Sequence, residues 1–221
     1  MMKRILILMA LMCVAVTLFA QVALPEHQFA AGRWAWSGTR LVQNDIHSGL
    51  AKLNVRAPQS GGMLYEFNAR YVDGLEDGHG GIGIHLFMDN ALNAASWGGG
   101  NSILLWLNYD EHPVTRGFIT GFTAQVYKST SNSTMELVDT IDLNWALPYF
   151  DISGIVPVKI WVDGNTGEIR IYDPTDPTLS DYFYIHLSDY PAYFPRSAFP
   201  LRGNWVALRT NGISVSFGLG L

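Results

Sequence analysis

The sequence predicts an all-β chain, an antiparallel β-sandwich, and three observations carry that prediction. Between Val158 and Tyr172, Val158, Ile160 and Val162 alternate with Lys159 and Trp161. The stretch Asp163-Gly-Asn-Thr-Gly167 breaks the run, and Glu168, Arg170 and Tyr172 then alternate with Ile169 and Ile171. Period-two alternation on both sides of a Gly/Asn/Asp turn specifies an antiparallel hairpin with one buried face. Pro157 and Pro174 bound it. Similar short alternating runs recur along the chain with turn residues between them, which is the pattern of a sandwich or barrel. No segment sustains helical periodicity, and no internal repeat or low-complexity linker divides the chain.

The first 20 residues are set apart. Lys3 and Arg4 precede an uncharged apolar run from Ile5 to Phe19, and Ala20 suits a cleavage position. This reads as a secretory signal peptide over 1–20, leaving 21–221 as a single domain. The expected location is therefore exported, either periplasmic or extracellular, with no membrane span after cleavage. The one cysteine, Cys13, lies inside the leader, so the mature chain has no disulfide and no Cys-metal site. About 200 residues suffice to hold a core without staples. The chain has 14 Lys and Arg, two of them in the leader, against 19 Asp and Glu. That acidic balance disfavours nucleic acid and anionic membranes as partners. Only 15% of residues are charged while 13% are aromatic, which suits a sandwich or a sugar-binding surface.

Taken in order, Gln21 to Gly32 reads as a short leader into the domain. Arg33 to Asn44 reads as two short strands around Ser37-Gly38-Thr39. Ala51 to Ala57 alternates and precedes the loop Pro58 to Gly62. In Leu64 to Val72, Tyr65, Phe67, Ala69 and Tyr71 face one way and Leu64, Glu66, Asn68 and Arg70 the other. Ile82 to Met88 puts Ile82, Ile84 and Leu86 on one face and Gly83, His85 and Phe87 on the other. A glycine-rich loop, Asp89 to Asn101, carries Trp97. Ile103 to Tyr109, Phe118 to Lys128 and Leu137 to Leu143 are further strands. Asn144 to Gly154 is irregular, and Asp173 to Pro200, rich in Pro and Tyr, is a long excursion or an edge ribbon. Gly203 to Thr210 and Ile213 to Leu219 read as a final hairpin joined by Asn211-Gly212, the strongest short hairpin signal.

Several of these pieces together resemble the concanavalin A-like lectin/glucanase jelly roll, particularly its laminin-G-like and bacterial secreted branches. They are Gly32-Arg-Trp34 onward, Leu64-Tyr-Glu-Phe-Asn-Ala-Arg70, Gly80-Gly-Ile-Gly-Ile-His-Leu-Phe87, Val158-Lys-Ile-Trp-Val-Asp-Gly164 with Glu168-Ile-Arg-Ile-Tyr172, and Gly212-Ile-Ser-Val-Ser-Phe217. The resemblance covers nearly the whole mature chain and rests on structural motifs. It implies two stacked curved sheets, with a late strand returning beside the N-terminal one. Function does not transfer with such a fold.

The glucanase branch carries Glu-x-Asp-x-Glu on one strand, which sets two carboxylates about 5 Å apart. This chain lacks that signature, so the enzyme question leans to no. In Glu136-Leu-Val-Asp139 a regular strand puts the two acids on opposite faces. No Gly-x-Ser-x-Gly elbow is present, and no His pair has metal-ligand spacing. Hard oxygen donors cluster in Asp73 to Asp77 and at Asp89-Asn90, so calcium is the one cofactor to consider. The better expectation is a binding face built from His85, Trp106, Asn108, Gln125 and Tyr127, with Trp97 at its rim. Aromatic planes stack on sugar rings and planar amides bind hydroxyl pairs. Trp106 is either that stacking plane or a core side chain. The chain is thus expected to be a lectin-like binding module for carbohydrate or another envelope component, without catalysis. The alternatives are a structural or assembly protein of the envelope and a glycoside hydrolase with a non-standard carboxylate pair.

Overall fold

The computed structural model describes residues 26–47, 49–75, 77–91, 97–114, 118–145, 154–172 and 181–219. The expected leader therefore lies outside the described residues. Among the described residues fourteen strands follow one another: β1 (His27–Ala31), β2 (Trp34–Ser37), β3 (Arg40–Gln43), β4 (Ala51–Gln59), β5 (Gly62–Gly74), β6 (His79–Met88), β7 (Gly100–Asp110), β8 (Gly121–Ser131), β9 (Met135–Asp142), β10 (Val156–Asp163), β11 (Glu168–Tyr172), β12 (Asp181–His186), β13 (Gly203–Asn211) and β14 (Ile213–Leu219). They form two seven-stranded sheets. The first has the order β1-β4-β13-β6-β7-β8-β9 and the second β12-β11-β10-β5-β14-β3-β2. All pairings are antiparallel.

The sheets stack through their alternating apolar positions. Ile84, Leu86, Ile103, Leu105 and Val126 of the first meet Ile160, Val162, Ile169, Phe183 and Ile185 of the second in one buried cluster. A smaller cluster of Ala69, Ile213, Val215 and Phe217 continues it. The central hairpin forms as expected, with Ile160 opposite Ile171 and Val162 opposite Ile169. The last strand, β14, returns between β5 and β3.

Three readings of the sequence need correcting, and an open one is decided. The segment read as a leader contains β1, which pairs with β4. Of the two readings of Asp173 to Pro200, the edge ribbon holds in its described part: β12 lies beside β11 at the edge of the second sheet. Asn211-Gly212 is not a hairpin turn but a corner between sheets: β13 lies between β4 and β6, β14 between β5 and β3. Asn-Gly supplies the left-handed backbone, here φ 65° at Gly212. It does not choose the partner strand. Each flanking strand satisfies both its edges in a different sheet, and those ladders outweigh a local hairpin. The third correction is Phe87, read as facing away from Leu86. Its φ of 57° turns it inward, and it joins the core cluster.

Candidate functional site

The outer face of the first sheet carries the residues the sequence singled out. Direct pairing runs Lys52 to Arg209, Arg209 to Gly83, Gly83 to Trp106, Trp106 to Gln125 and Gln125 to Thr140. These six positions form one row across β4, β13, β6, β7, β8 and β9. The row on one side holds His85, Leu104 and Tyr127, and the row on the other holds Gly81, Asn108 and Thr123. His85, Trp106, Asn108, Gln125 and Tyr127 therefore share a face and lie in three adjacent rows. Phe87, expected beside them, does not.

Trp106 is neither exposed nor part of the core between the sheets. Its indole lies across Gly81 and Gly83, two of the three glycines of β6. A Cβ on Gly81 would stand 2.4 Å from the ring, and one on Gly83 2.7 Å from it. The indole N–H donates to Asn108 Oδ1 at 3.1 Å. Only 7% of the residue is accessible. Gln125 and Tyr127 form a chain: Tyr127 Oη donates to Gln125 Oε1 at 2.7 Å, and Gln125 Nε2 donates to Thr123 Oγ1 at 3.1 Å. Asn108 and Tyr127 are half-buried, whereas Gln125 and Thr123 are buried.

Much of this face is covered by the strap Trp97-Gly98-Gly99. Gly98 N–H donates to Asn132 O, and Gly99 N–H to Ser129 Oγ. Close approach explains the glycines. A Cβ on Gly98 would meet Ser131 O at 2.1 Å, and one on Gly99 would meet His85 Nδ1 at 2.5 Å. Two cations hold the strap by its carbonyls. Lys52 Nζ donates to Gly98 O at 2.8 Å, and Arg209 Nη1 to Trp97 O at 2.7 Å. The Arg209 guanidinium sits between two indoles, 4.5 Å from the Trp97 ring and 5.1 Å from that of Trp106. Trp97 itself remains 51% exposed. One face of it is braced on a cation and the ring is presented to solvent.

Burial sets the electrostatics here. Lys52 is lowered to about 8, by desolvation first and by Arg209 second. Arg209 is lowered to about 10 by desolvation, with Tyr127 opposing. His85 is driven well below its usual value by complete burial, then by Arg209 and Lys52. Burial raises Tyr127 to about 12, against the pull of Arg209. His85 Nδ1 lies 3.1 Å from Ser102 Oγ. Among the described residues, His85 Nε2 and Arg209 Nε are buried without a hydrogen-bond partner, and no carboxylate pairs with Arg209. The sequence did not single out Lys52 or Arg209. Alternation alone puts both on the outer face, but nothing local reveals that they hold a loop whose contacts lie 46 residues from Lys52 and 112 from Arg209.

The acids are placed differently from the expectation. A bulge in β9 opposite Val126 and Tyr127 shifts the phase, so Glu136 pairs with Lys128 and Asp139 with Val126. Both acids thereby fall on the inner side of the first sheet rather than on opposite faces. Asp139 Oδ2 accepts a 2.6 Å hydrogen bond from Tyr190 Oη. In the loops considered for calcium, Asp73 and Asp77 accept from the backbone N–H groups of Gly74 and His79. Among the described residues, no group of three or more His, Cys, Asp or Glu is placed so that it could hold a metal ion. Also among them, no helix is long and apolar enough to cross a membrane.

No protein-family profile matches the chain, and no curated protein matches it in sequence. Solved structures do match its shape. The carbohydrate recognition domain of Emp46p in its potassium-bound form aligns with TM-score 0.54 at 11% identity, covering 88% of this chain and 89% of that one. A point mutant of that domain aligns with TM-score 0.51 at 11% identity, covering 88% of each chain. A glycosyl hydrolase family 16 protein from Mycobacterium smegmatis aligns with TM-score 0.48 at 12% identity, covering 80% of this chain and 72% of that one. At such identities the likeness is one of fold. With its two stacked antiparallel sheets and the return of β14 beside β3, the chain has the concanavalin A-like jelly-roll fold.

Proposed function

We propose that the chain is an exported, lectin-like module that binds carbohydrate at the outer face of the first sheet, without catalysis. The observation that carries this reading is Trp97. It is the exposed aromatic plane on that face, and its geometry is fixed by Arg209 before any ligand arrives. Preorganised planes of this kind lose little freedom on binding. Around it stand the groups a sugar needs: the half-buried Asn108, and the Tyr127 hydroxyl at the end of the Gln125–Thr123 chain. Trp106 then acts as the floor that seats Arg209 rather than as the stacking plane itself. The lectin-domain neighbours support the reading through fold alone. The missing glucanase signature and the inward-facing Glu136 and Asp139 weigh against the hydrolase alternative. A role in envelope assembly is the other reading, favoured by exposed Leu64 and Tyr184 on the opposite sheet.

The test is a glycan array followed by titration of the best ligand against wild type and Trp97→Ala. Loss of one stacking anchor is expected to weaken binding by about 1–3 kcal/mol with folding retained. Unchanged affinity would move the site off this face. Calcium at Asp73 to Asp77 or at Asp89-Asn90 would appear as a rise in Tm on adding calcium.

A further inference from the structure

A cavity lies between the sheets, at the end marked by the Asn211-Gly212 corner. It has a volume of about 430 Å³. Ala69, Val158 and Val215 line it from the second sheet, and Ile82, Leu107 and Phe122 from the first. The two tyrosines that reach it are already engaged: Tyr71 Oη donates to Gly74 O, and Tyr109 Oη donates to Glu111 Oε1 at 2.8 Å. A ligand there would meet apolar walls and few unpaired polar groups, in a volume within the usual range for small-molecule sites. At roughly 30 Å³ for a water-sized group, the space admits on the order of a dozen methylenes. Two apolar side chains close in sequence to the lining are exposed. Val114, three residues beyond Glu111, is fully exposed, and Ile155, next to the lining residue Val156, is 58% exposed.

Charge at the mouth narrows the occupant. Two described stretches that supply lining residues Leu75, Tyr109 and Glu111 are 73–79 without 76 and 109–114. They carry Asp73, Asp77, Asp110 and Glu111, with His79 and His112 but no Lys or Arg. Glu111 itself lines the cavity. A fatty-acid carboxylate beside Glu111 would face a like charge. We propose that this cleft takes the hydrocarbon chain of a single-chain, uncharged amphiphile, whose head remains at the Tyr109–Glu111 mouth. The inference is independent of carbohydrate binding, because the cleft lies on the inner side of the first sheet and Trp97 on its outer side.

The purified full chain is titrated with the neutral fluorophore N-phenyl-1-naphthylamine. The bound probe is then displaced by tetraethylene glycol monododecyl ether, by its decyl homologue, or by dodecanoate. The expected result is saturable probe fluorescence, displaced several-fold more tightly by the dodecyl than by the decyl ether, as each buried methylene adds transfer energy. Dodecanoate should compete at least tenfold more weakly, and Glu111→Gln should narrow that gap. Val156→Trp, which fills the mouth, should cut probe affinity tenfold or more while keeping the wild-type circular dichroism spectrum and melt. Should Val156→Trp fail to fold, Leu107→Phe serves as the second filling variant. Trp97→Ala should leave probe binding unchanged, which separates this inference from the carbohydrate reading. Absence of displaceable probe binding, equal competition by dodecanoate, or full binding by a folded filling variant would overturn it.

Discussion

The two outer faces of the sandwich use charge in opposite ways. On the second sheet, cations meet carboxylates at a partly exposed surface: Lys159 Nζ lies 3.0 Å from Glu66 Oε1, and Arg170 pairs with Glu168 while stacking 5.0 Å over exposed Tyr184. On the first sheet, Lys52 and Arg209 are buried, and they hold backbone carbonyls of a loop. Screened surface pairs contribute little, whereas a buried cation costs desolvation that must be offset by hydrogen bonds and packing. The difference marks which face was built to be bare sheet and which was built to carry an added layer. The glycines agree. Gly81 and Gly83 make room for an indole, and Gly98 and Gly99 let the strap lie close over the strands.

The comparison is sharpest along β10, where one strand has a core side and a water side. Ile160 is 3% exposed in the main cluster, and Lys159 beside it points outward. Ile160→Ala should cost about 2–5 kcal/mol through lost burial and a cavity. Lys159→Ala should stay within about 0.5–1 kcal/mol, the range of an exposed pair. Urea melts that gave equal losses would mean the second sheet's outer face is not an open one.

Next in size is the contrast between two arginines. Arg209→Ala removes a side chain packed between two indoles and orphans the Trp97 carbonyl. It should cost about 2–4 kcal/mol. Arg170→Ala should cost under about 1 kcal/mol. Trp97 fluorescence should also change in Arg209→Ala, as its ring loses its brace. A nearly silent Arg209→Ala would show that the strap holds without its cation.

Alternation made the strands legible because burial is local to each strand: β5, β6 and β10 could be assigned faces residue by residue, save Phe87. Partner choice was not legible. The Asn211-Gly212 corner looks in sequence like any tight hairpin, because its fate depends on β4, β6, β5 and β3 competing for its flanks. The phase shift in β9 was hidden for the same reason, since a bulge exists only relative to a partner. The site was legible as a face and not as a surface. His85, Trp106, Asn108, Gln125 and Tyr127 do lie together. Their accessibility, however, is set by a strap whose docking depends on Lys52 and Arg209, far away in the chain.

The smallest expected effect is a pH slope confined to the covered face. In the folded chain Lys52 titrates at about 8, against 10.5 for an unperturbed lysine. Between those values the unfolded chain binds a proton that the folded chain does not. Stability therefore rises with pH through that window. His85, held well below 6.5 by burial, acts in the same direction at lower pH. Below about 6.5 the unfolded chain takes up a proton that the buried imidazole refuses, so stability falls as the solution is acidified. Lys52→Met should remove the alkaline part of the slope and His85→Gln the acidic part. The readout is the difference in unfolding free energy between wild type and each variant, taken at pH 7.5 and 10 for Lys52 and at pH 7 and 5 for His85. Tyrosines common to both proteins cancel in that difference. A wild type that fails to gain on Lys52→Met between pH 7.5 and 10 would mean that Lys52 stays hydrated. The strap would then lie off the sheet in solution, and the two outer faces would be alike in exposing their charges to water.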